Sequence, residues 1–499
     1  MAWAANHDQN GNPTSNFNIL YVNRLANGTW LHPALLTSQP SPTKNQNPAV
    51  AQINNGTIFI FWSYQAVSSP HYQISYRTLT NGKLSTYKVA TTPPINMNDT
   101  LPSAAVGRDG TLWLVWTRDN RTAAGTSPVM RQLLYKTLKG GVWSAETNLT
   151  SPTDVNQNLQ PSIIVGKDGV VRIAFARGPP STGNFQINYM TYSGTAWSAP
   201  TPIVTACSSS CTGDANPSLT QDRNGTIWLF WARNVVVSTT TDFVIYSKFS
   251  VDNGAHWNSS ETPLTAVSTS VESQMPTAVQ SNTITDKNLW VFYSTNPSGA
   301  EFDIWGLKSP NPIRPVHDIT VSGFSVSNYF WYAGGLPSIG QGASLPIYVN
   351  VTNLGDFGET AVVTLFATNT SNINIGTVSQ FITNGTWSYL SFNWNTSGVR
   401  AAVYGLSASI APLPGETLGN LGDNNFSVSN ESHILPLGDV DQDGSVTITD
   451  VGVVYFNYGF TVGSLHNGFR VPAFADINGN GIIDIVDVGV VSRNYGTFS

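Results

Sequence analysis

Short runs of alternating apolar and polar residues recur along the first three fifths of the chain. In the clearest example, PSLTQDRNGTIWLFWAR (residues 217–233), an alternating run precedes Asn224-Gly225 and a β-branched and aromatic run follows it. This combination predicts a β-hairpin. Further copies begin at Pro48, Pro102, Pro161 and Pro276, so the five prolines are separated by 54, 59, 56 and 59 residues.

Each hairpin is followed by an Ile/Leu/Val-Tyr strand, a Gly turn and a Thr/Pro-rich strand, as in residues 187–202. A fixed period of four short strands predicts a β-propeller. Residues 16–37 and 276–308 are incomplete units. We expect these two ends to complete one another, which gives a five-bladed propeller; six blades result if residues 18–36 and 302–307 belong to different blades.

The turn SVDNGAHW, residues 250–257, matches the pattern S-x-D-x-G-x-x-W. It resembles the Asp-box of sialidase-type propellers, in which the box stabilises the turn between the third and fourth strands. The resemblance therefore implies a fold and carries no catalytic implication.

The pattern changes after residue 312, and residues 313–433 contain about seven alternating strands, typical of a β-sandwich. HDITVSGFSVS, VNVTNLGDFGET and PGETLGNLGDNNF resemble the cell-adhesion-related Ig-like (CARDB) domains. The resemblance implies a spacer or adhesion module. We therefore expect three domains, over residues 1–312, 313–433 and 434–499.

The last domain contains a duplicated acidic loop. GDVDQDGSVTITDVGVVYFNYG recurs as ADINGNGIIDIVDVGVVSRNYG at an offset of 37 residues. Oxygen ligands at positions 1, 3, 5, 7 and 12, with Gly at position 6, are the ligand set of a Ca²⁺ loop. We expect two Ca²⁺ sites, in which position 7 contributes its backbone carbonyl. The candidate ligands are Asp439, Asp441, Asp443, Ser445 and Asp450 in the first site and Asp476, Asn478, Asn480, Ile482 and Asp487 in the second.

These loop–helix units resemble a type I dockerin, which implies a small α domain with two calcium loops. Positions 10 and 11, which contact cohesin in cellulosomal dockerins, are Ile448-Thr449 and Ile485-Val486 here. No cohesin partner follows from these residues. The tail and the Ig-like domain are instead expected to contact a protein partner or neighbouring copies of the chain.

A second candidate site lies on one face of the propeller, where first strands begin and second strands end. Acids near this face, Asp99, Asp214 and Glu272, are candidate catalytic residues. Three arginines and a tyrosine are candidate substrate ligands: Arg118, Arg177, Arg233 and Tyr64. The alternative interpretation is structural, with turn-capping Asx residues and strand-end arginines paired to them.

Composition narrows the location and partners. Charged residues make up 10% of the chain, the net charge is −6 and there is no basic run, so nucleic-acid binding is not expected. No apolar run reaches the length of a membrane span. Cys207 and Cys211 are a candidate disulfide, and 13 N-x-S/T sequons are compatible with a glycoprotein. A secreted or cell-surface location is expected.

Three functions remain open. The first is an extracellular binding or adhesion protein whose propeller head recognises glycans and whose tail is a calcium-stabilised docking module. The second is a secreted glycoside hydrolase, sialidase- or arabinanase-like. The third is a structural subunit of a surface layer or filament. The sequence has neither a sialidase FRIP motif nor a Tyr–Glu nucleophile pair, which argues against an enzyme. The first function is favoured because it uses every domain and requires no catalytic residues.

Overall fold

The structure is a computed structural model, which describes residues 1–8, 10, 12–23, 29–37, 43–67, 69, 71–120, 130–180, 183–207, 211–237, 240–268, 271–281, 288–296, 302–309, 316–326, 338–342, 344–441, 443–472, 475–477 and 480–498. The chain divides into two compact units, Met1–Arg314 with Thr417–Asn420, and Pro315–Glu416 with Leu421–Ser499. It is mainly β. Within the described ranges, no helix is long and apolar enough to cross a membrane.

The first unit contains six antiparallel sheets among its described residues. Sheet 1 consists of β1 (Ala2–His7), β2 (Pro13–Tyr21) and β3 (Ala34–Leu35). Sheet 2 consists of β4 (Lys44–Gln52), β5 (Ile58–Gln65), β6 (Tyr72–Thr80), β7 (Lys83–Leu84) and β8 (Lys88–Val89). Sheet 3 consists of β9 (Asn98–Val106), β10 (Leu112–Asn120), β11 (Met130–Lys139), β12 (Val142–Trp143) and β13 (Thr147–Asn148). Sheet 4 consists of β14 (Gln157–Val165), β15 (Val171–Gly178), β16 (Gln186–Tyr192) and β17 (Thr201–Pro202). Sheet 5 consists of β18 (Cys211–Gln221), β19 (Ile227–Val237), β20 (Thr240–Ser250) and β21 (Thr262–Pro263). Sheet 6 consists of β22 (Ser273–Gln280), β23 (Leu289–Thr295) and β24 (Asp303–Lys308).

These sheets follow one another around a ring. The first strands of consecutive repeats contact each other in the order β4, β9, β14, β18 and β22, so they form the inner wall. Apolar clusters join each sheet to the next, as the rings of Phe61 and Tyr76 in sheet 2 do with Trp143 of sheet 3. Trp30, just before β3, contacts Phe292 of β23 at a centroid distance of 6.4 Å, which brings the first and last sheets together. This is the predicted propeller arrangement.

The two ends of the repeat region lie in separate sheets. β1 pairs with β2, so sheet 1 contains a strand that the sequence analysis did not identify. Residues 18–21 of β2 and residues 34–35 of β3 belong to this sheet, whereas β24 pairs with β23 in sheet 6. This is the arrangement that the sequence analysis associated with six blades.

A left-handed residue recurs at one position of the inner strand. The residue before the repeat proline has a φ between 50° and 57° in all five repeats, where the register of the strand also shifts. These residues are Asn47, Leu101, Gln160, Asn216 and Met275. Such a φ is unfavourable for Leu, Gln and Met, and proline biases the preceding residue towards extended backbone. Packing of the inner wall therefore imposes the bulge.

The second unit begins with a two-sheet β-sandwich. One sheet has the order β25 (Ile319–Val326), β27 (Ser344–Asn353) and β30 (Trp387–Asn395), and the other has the order β26 (Ser338–Gly340), β32 (Asn425–Leu435), β31 (Ala402–Ile410), β28 (Glu359–Thr368) and β29 (Asn372–Ile382). A 3₁₀ turn spans Leu421–Asp423. The inward-facing residues of the alternating strands, among them Val349, Leu365 and Phe392, form one apolar core.

The tail contains two short helices, α1 (Ile448–Phe456) and α2 (Ile485–Asn494), and a small hairpin of β33 (Leu465–His466) and β34 (Phe469–Arg470). Each helix begins with a capping box, formed by Thr447 with Asp450 and by Asp484 with Asp487. Buried aliphatic residues from both halves of the duplication, such as Val454 and Val491, form one core. The two loop–helix units thus pack on each other.

Candidate metal centre and propeller face

The first loop of the tail brings three carboxylates together. Oxygens of Asp439, Asp441 and Asp443 all lie within 4.8 Å of one another. Asp439 is buried, and the other two are exposed. The sequence from Gly438 to Asp450 contains no Lys or Arg, so the loop supplies no positive charge of its own.

Backbone hydrogen bonds hold this loop in a tight turn. The N–H of Gly444 donates to Asp439 Oδ2 at 2.9 Å, and the N–H of Ser445 donates to Asp443 Oδ1 at 2.8 Å. Gly444 has a φ of 96°, a conformation that favours glycine. The carboxylates at positions 1 and 5 are therefore fixed by the loop backbone.

Asp450 has a different role from the other acids. It is fully buried, and its Oδ1 accepts from the N–H groups of Val440 and Asp441 at 2.6 and 2.9 Å. Its Oδ2 accepts from the N–H of Thr447 at 2.7 Å. Asp450 thus joins the start of the loop to the first turn of α1, and it lies outside the three-carboxylate cluster.

The crowding of like charges affects Asp441. Burial raises the pKa of this carboxyl, and the negative charges of Asp450 and Asp443 raise it further, against a lowering by the N–H of Asp443. The ionised loop therefore contains electrostatic repulsion that a cation would relieve.

The second loop repeats the backbone hydrogen bonds of the first. The N–H of Gly481 donates to Asp476 Oδ2 at 2.6 Å, as Gly444 does to Asp439. Asp487, also fully buried, accepts from the N–H groups of Ile477 and Asp484 at 2.7 and 2.8 Å. The duplication seen in the sequence is thus also present in the structure.

The remaining predicted ligands of the second loop are only partly described. Asn480 accepts from the N–H of Ile482 at 2.9 Å, which places it like Asp443 of the first loop. Asn478 lies outside the described residues. With one carboxylate at position 1 and amides at positions 3 and 5, this loop has fewer negative charges than the first.

These donor sets fit a hard divalent cation. Carboxylate, amide and backbone carbonyl oxygens are the ligands that Ca²⁺ prefers, and it takes six to eight of them. The first loop offers three converging carboxylates before any carbonyl or water is counted. A Ca²⁺ ion would supply the positive charge that the loop lacks.

On the propeller face, Asp99 and Asp214 lie in a row of residues at the starts of first strands, and Tyr64 and the three arginines lie in a row near the ends of second strands; the two rows are direct cross-strand partners. Each residue at the start of a first strand lies opposite one near the end of its second strand. The pairs are Asn45 with Tyr64, Asp99 with Arg118, Asn158 with Arg177, Asp214 with Arg233, and Ser273 with Thr295.

Asp99 and Arg118 form a buried bidentate ion pair in sheet 3. The Nε and Nη2 atoms of Arg118 donate to the two oxygens of Asp99 at 2.6 and 2.7 Å, and Asp99 is fully buried. Arg118 Nη2 also donates to Glu146 at 2.7 Å. Burial raises the pKa of Asp99, while Arg118 acts in the opposite direction. The guanidinium of Arg118 thus donates hydrogen bonds to two carboxylates, those of Asp99 and Glu146.

Sheet 5 repeats this arrangement. Arg233 donates to both oxygens of Asp214, at 2.7 and 3.1 Å, and to Glu261 at 2.6 Å. The indole N–H of Trp231 donates to Asp214 at 2.9 Å. Burial raises the pKa of Asp214, against the hydrogen bond and charge of Arg233. Neither Asp214 nor Asp99 has the free oxygen of a nucleophile or proton donor.

Arg177 is held more loosely. Its Nη2 lies 2.9 Å from Asp154 Oδ2, and the side chains are 21% and 12% exposed. The cross-strand partner is the amide Asn158, which itself donates to Asp154 at 3.1 Å. All three arginines are therefore paired with acids.

Tyr64 lies beside an aromatic neighbour rather than a charge. Its ring meets that of Tyr87 edge to face at 5.3 Å. Both line a cavity of about 60 Å³ together with Asn45, which accepts from Trp62 at 2.9 Å. Ligand pockets usually enclose about 300–1,000 Å³, so this cavity is too small for a sugar ring.

Glu272 is the one candidate acid that keeps its carboxylate available. The side chain is half-buried immediately before β22, and the backbone N–H of Glu272 donates to Asn296 at 2.6 Å. Within the described part of the chain, no hydrogen bond or ion pair involves its carboxylate. A glycosidase would need a second acid close to it.

Cys207 and Cys211 are joined in a disulfide. Cys211 begins β18, the strand that carries Asp214 three residues later. The disulfide closes the connection that leads into the Asp214 side of sheet 5.

Sequence reasoning missed Glu146 and Glu261. Both precede a Thr at the fourth strand and follow the turn Trp of their repeat, Trp143 and Trp257, by three and four residues. This recurrent Glu-Thr was a usable signal. The partners could be assigned only from the fold, because each glutamate reaches its arginine across the sheet.

Comparison with known proteins supports a sialidase-like propeller. Residues 173–306 match the family described as BNR repeat-like domain, about a quarter of the chain. A comparison with curated protein sequences finds no significant relative.

Solved structures similar to this chain have low sequence identity. A protein of unknown function from Dyadobacter fermentans is 16% identical, with 58% of this chain and 83% of that chain covered and a TM-score of 0.44. An α-L-arabinanase of Penicillium chrysogenum, complexed with arabinobiose, is 14% identical (62% and 89% covered, TM-score 0.37). An endo-arabinase of Bacteroides thetaiotaomicron is 13% identical (54% and 94% covered, TM-score 0.38). At these scores the similarities carry no argument about activity.

Proposed function

We propose that this chain is an extracellular or cell-surface binding protein with a propeller head for glycans and a calcium-stabilised docking tail. The observation that carries the proposal is the convergence of Asp439, Asp441 and Asp443 within 4.8 Å in a loop without a basic residue. Asp439, Asp441 and Asp443 would hold one Ca²⁺, and Asp476 and Asn480 would contribute to a second. The bound ion would supply the charge that permits three ionised carboxylates to stay together.

The head is proposed to bind rather than to hydrolyse. Asp99 and Asp214 are buried against arginines, and each arginine has a second carboxylate partner. Breaking such a pair to supply a catalytic acid would leave an uncompensated buried charge. The disulfide and the sparse charge agree with an extracellular location.

Isothermal titration of the full chain with Ca²⁺ tests the tail. We expect two binding events, and we expect the D441N/D443N double variant to lose the tighter one because two of its three charges are gone. The matched control is D303N, which removes a charge from an exposed strand residue of sheet 6. Unchanged titration of D441N/D443N would refute the assignment.

A secreted glycoside hydrolase is the second candidate, and Glu272 is the observation that favours it. Its carboxylate is the one candidate acid without a partner in the described residues, and a BNR repeat-like match covers this part of the chain. Incubation with arabinan and with sialylated oligosaccharides, followed by analysis of released sugars, separates the two candidates. Released sugars that disappear in the E272Q variant would establish hydrolysis, whereas retention of the glycan without release supports binding.

A further inference from the structure

We infer that the outer face of the sheet β25-β27-β30 in the second unit is a binding site for a neutral, soluble polysaccharide. This site is separate from the propeller and from the tail. The inference starts from β30, in which Leu390, Phe392 and Trp394 point into the sandwich core. The alternating residues between and before them therefore face outwards.

Two of these outward residues are large aromatics. Trp387 and Tyr389 are 58% and 56% exposed, although burial of such side chains is strongly favourable. Their ring centroids are 4.9 Å apart at an interplanar angle of 69°. The two rings thus form an open corner on the sheet surface. Adjacent exposed aromatics of this kind mark binding sites more often than isolated ones do.

The rest of the row consists of short hydrogen-bonding side chains. Ser391, Asn393 and Asn395 are all exposed and continue the line from Tyr389 along β30. From residue 387 to residue 395 the row is about 26 Å long, at about 3.3 Å per strand residue. The cross-strand partners of Trp387, Tyr389 and Ser391 are Thr352, Asn350 and Tyr348 of β27.

The three strands contain no side chain that is charged at neutral pH. None of the residues of β25, β27 and β30 is Asp, Glu, Lys, Arg or His. Amide and hydroxyl groups both donate and accept hydrogen bonds, which matches the hydroxyl groups of a sugar. An anionic polysaccharide would find no cation here, so the complementary ligand is uncharged.

The geometry of the aromatic pair also selects the form of the ligand. A pyranose ring has an apolar C–H face that stacks on an aromatic ring, while its hydroxyl edge reaches neighbouring polar groups. A corner of 69° holds one sugar ring of a single chain, whereas a crystalline polysaccharide surface needs coplanar rings. The site is therefore expected to bind soluble chains and not crystalline cellulose.

Native gel electrophoresis of the full chain in gels containing glucomannan, xylan or mixed-linkage β-glucan tests this inference. The protein should come from a host without N-glycosylation, because the sequons at Asn350 and Asn395 lie on this face. We expect retardation by at least one polysaccharide. W387A and Y389A should each weaken it at least tenfold, whereas W387F and Y389F should keep most of it.

The matched control is F381A, which removes an aromatic residue that is 61% exposed on β29 of the other sheet. It should leave retardation unchanged. Retardation that persists in W387A and Y389A, or no retardation by any of the three polysaccharides, would overturn the inference. β30 is also an edge strand of its sheet. Self-association that W387A abolishes, without any polysaccharide binding, would identify a second copy as the occupant and would likewise overturn it.

Discussion

The Arg233→Met substitution should strongly destabilise the propeller, because Arg233 lies in a buried ion-pair network. Met preserves most of the side-chain volume but removes the guanidinium that contacts Asp214 and Glu261. Asp214 is 1% exposed, so its carboxylate would remain buried with only Trp231 as a hydrogen-bond donor. Removal of one partner from a buried ion pair typically costs about 3–5 kcal/mol.

The matched control is Arg177→Met at the equivalent position of sheet 4. Arg177 contacts one carboxylate, Asp154, and both side chains are partly exposed. The expected cost is therefore about 1 kcal/mol, as for a pair close to the surface. The difference between the two variants isolates the buried network from the general effect of an Arg→Met change.

Urea unfolding of the full chain, followed by tryptophan fluorescence, measures both variants. In R233M the pKa of Asp214 should rise further, because burial then acts without the opposing guanidinium. Protonation relieves the buried charge, so the stability of R233M should increase relative to wild type as the pH falls through the raised pKa of Asp214. Equal and small effects of R233M and R177M would refute the structural role. Loss of glycan binding without loss of stability would assign Arg233 to the ligand instead.

Three further predictions concern single contacts. Ser162→Ala should cost about 1 kcal/mol of unfolding free energy, since Ser162 Oγ accepts from the Leu219 N–H at 2.9 Å between sheets 4 and 5; an unchanged denaturation midpoint would contradict this. In the Asp-box turn, burial acts to raise the pKa of Asp252, but hydrogen bonds from the His256 N–H and side chain and from Ser250 lower it to about 2. This stabilisation is present above the unfolded pKa of about 4 and lost as the pH falls towards 2. The Asp252 side chain is 32% exposed, so this contribution to the unfolding free energy should stay below about 1 kcal/mol. Asp252→Asn should remove it, which unfolding measured as a function of pH would show. Gly481→Ala should lower the unfolding free energy by about 1 kcal/mol, because the φ of Gly481 is 89° while the space around it is open. Gly452→Ala in α1, also in open space, should not be destabilising, and thermal unfolding compares the two variants.

The propeller face shows what the repeat alone could predict. A constant spacing between the proline, the first-strand row and the second-strand row fixes the cross-strand pairs, and the structure places Asp99 opposite Arg118 and Asp214 opposite Arg233. The recurrent Glu-Thr could have marked Glu146 and Glu261 as a repeated feature, but their pairing with the arginines could not be predicted, because their spacing from the turn Trp differs between the two repeats and the contact crosses the sheet. The left-handed residues before the prolines were missed for another reason, since local preference opposes that conformation.

The tail shows an ambiguity of a single residue. Asp450 satisfies position 12 of a calcium loop and, with Thr447 three residues earlier, also the capping-box pattern. Asp484 and Asp487 repeat this overlap. In the structure Asp450 and Asp487 accept hydrogen bonds from backbone N–H groups, whereas the carboxylates at positions 1, 3 and 5 of the first loop converge on one another. Sequence patterns could not separate these roles because one carboxylate meets both requirements.

The most direct test of the calcium-stabilised tail is calorimetry of the intact chain with Ca²⁺ and after chelation. Each loop that binds Ca²⁺ in the folded state alone adds about 4 kcal/mol to the stability of the tail when free Ca²⁺ is 1,000-fold above its Kd. We expect a small transition that moves to lower temperature on chelation, while the large propeller transition stays in place. Identical traces with and without chelator would contradict it.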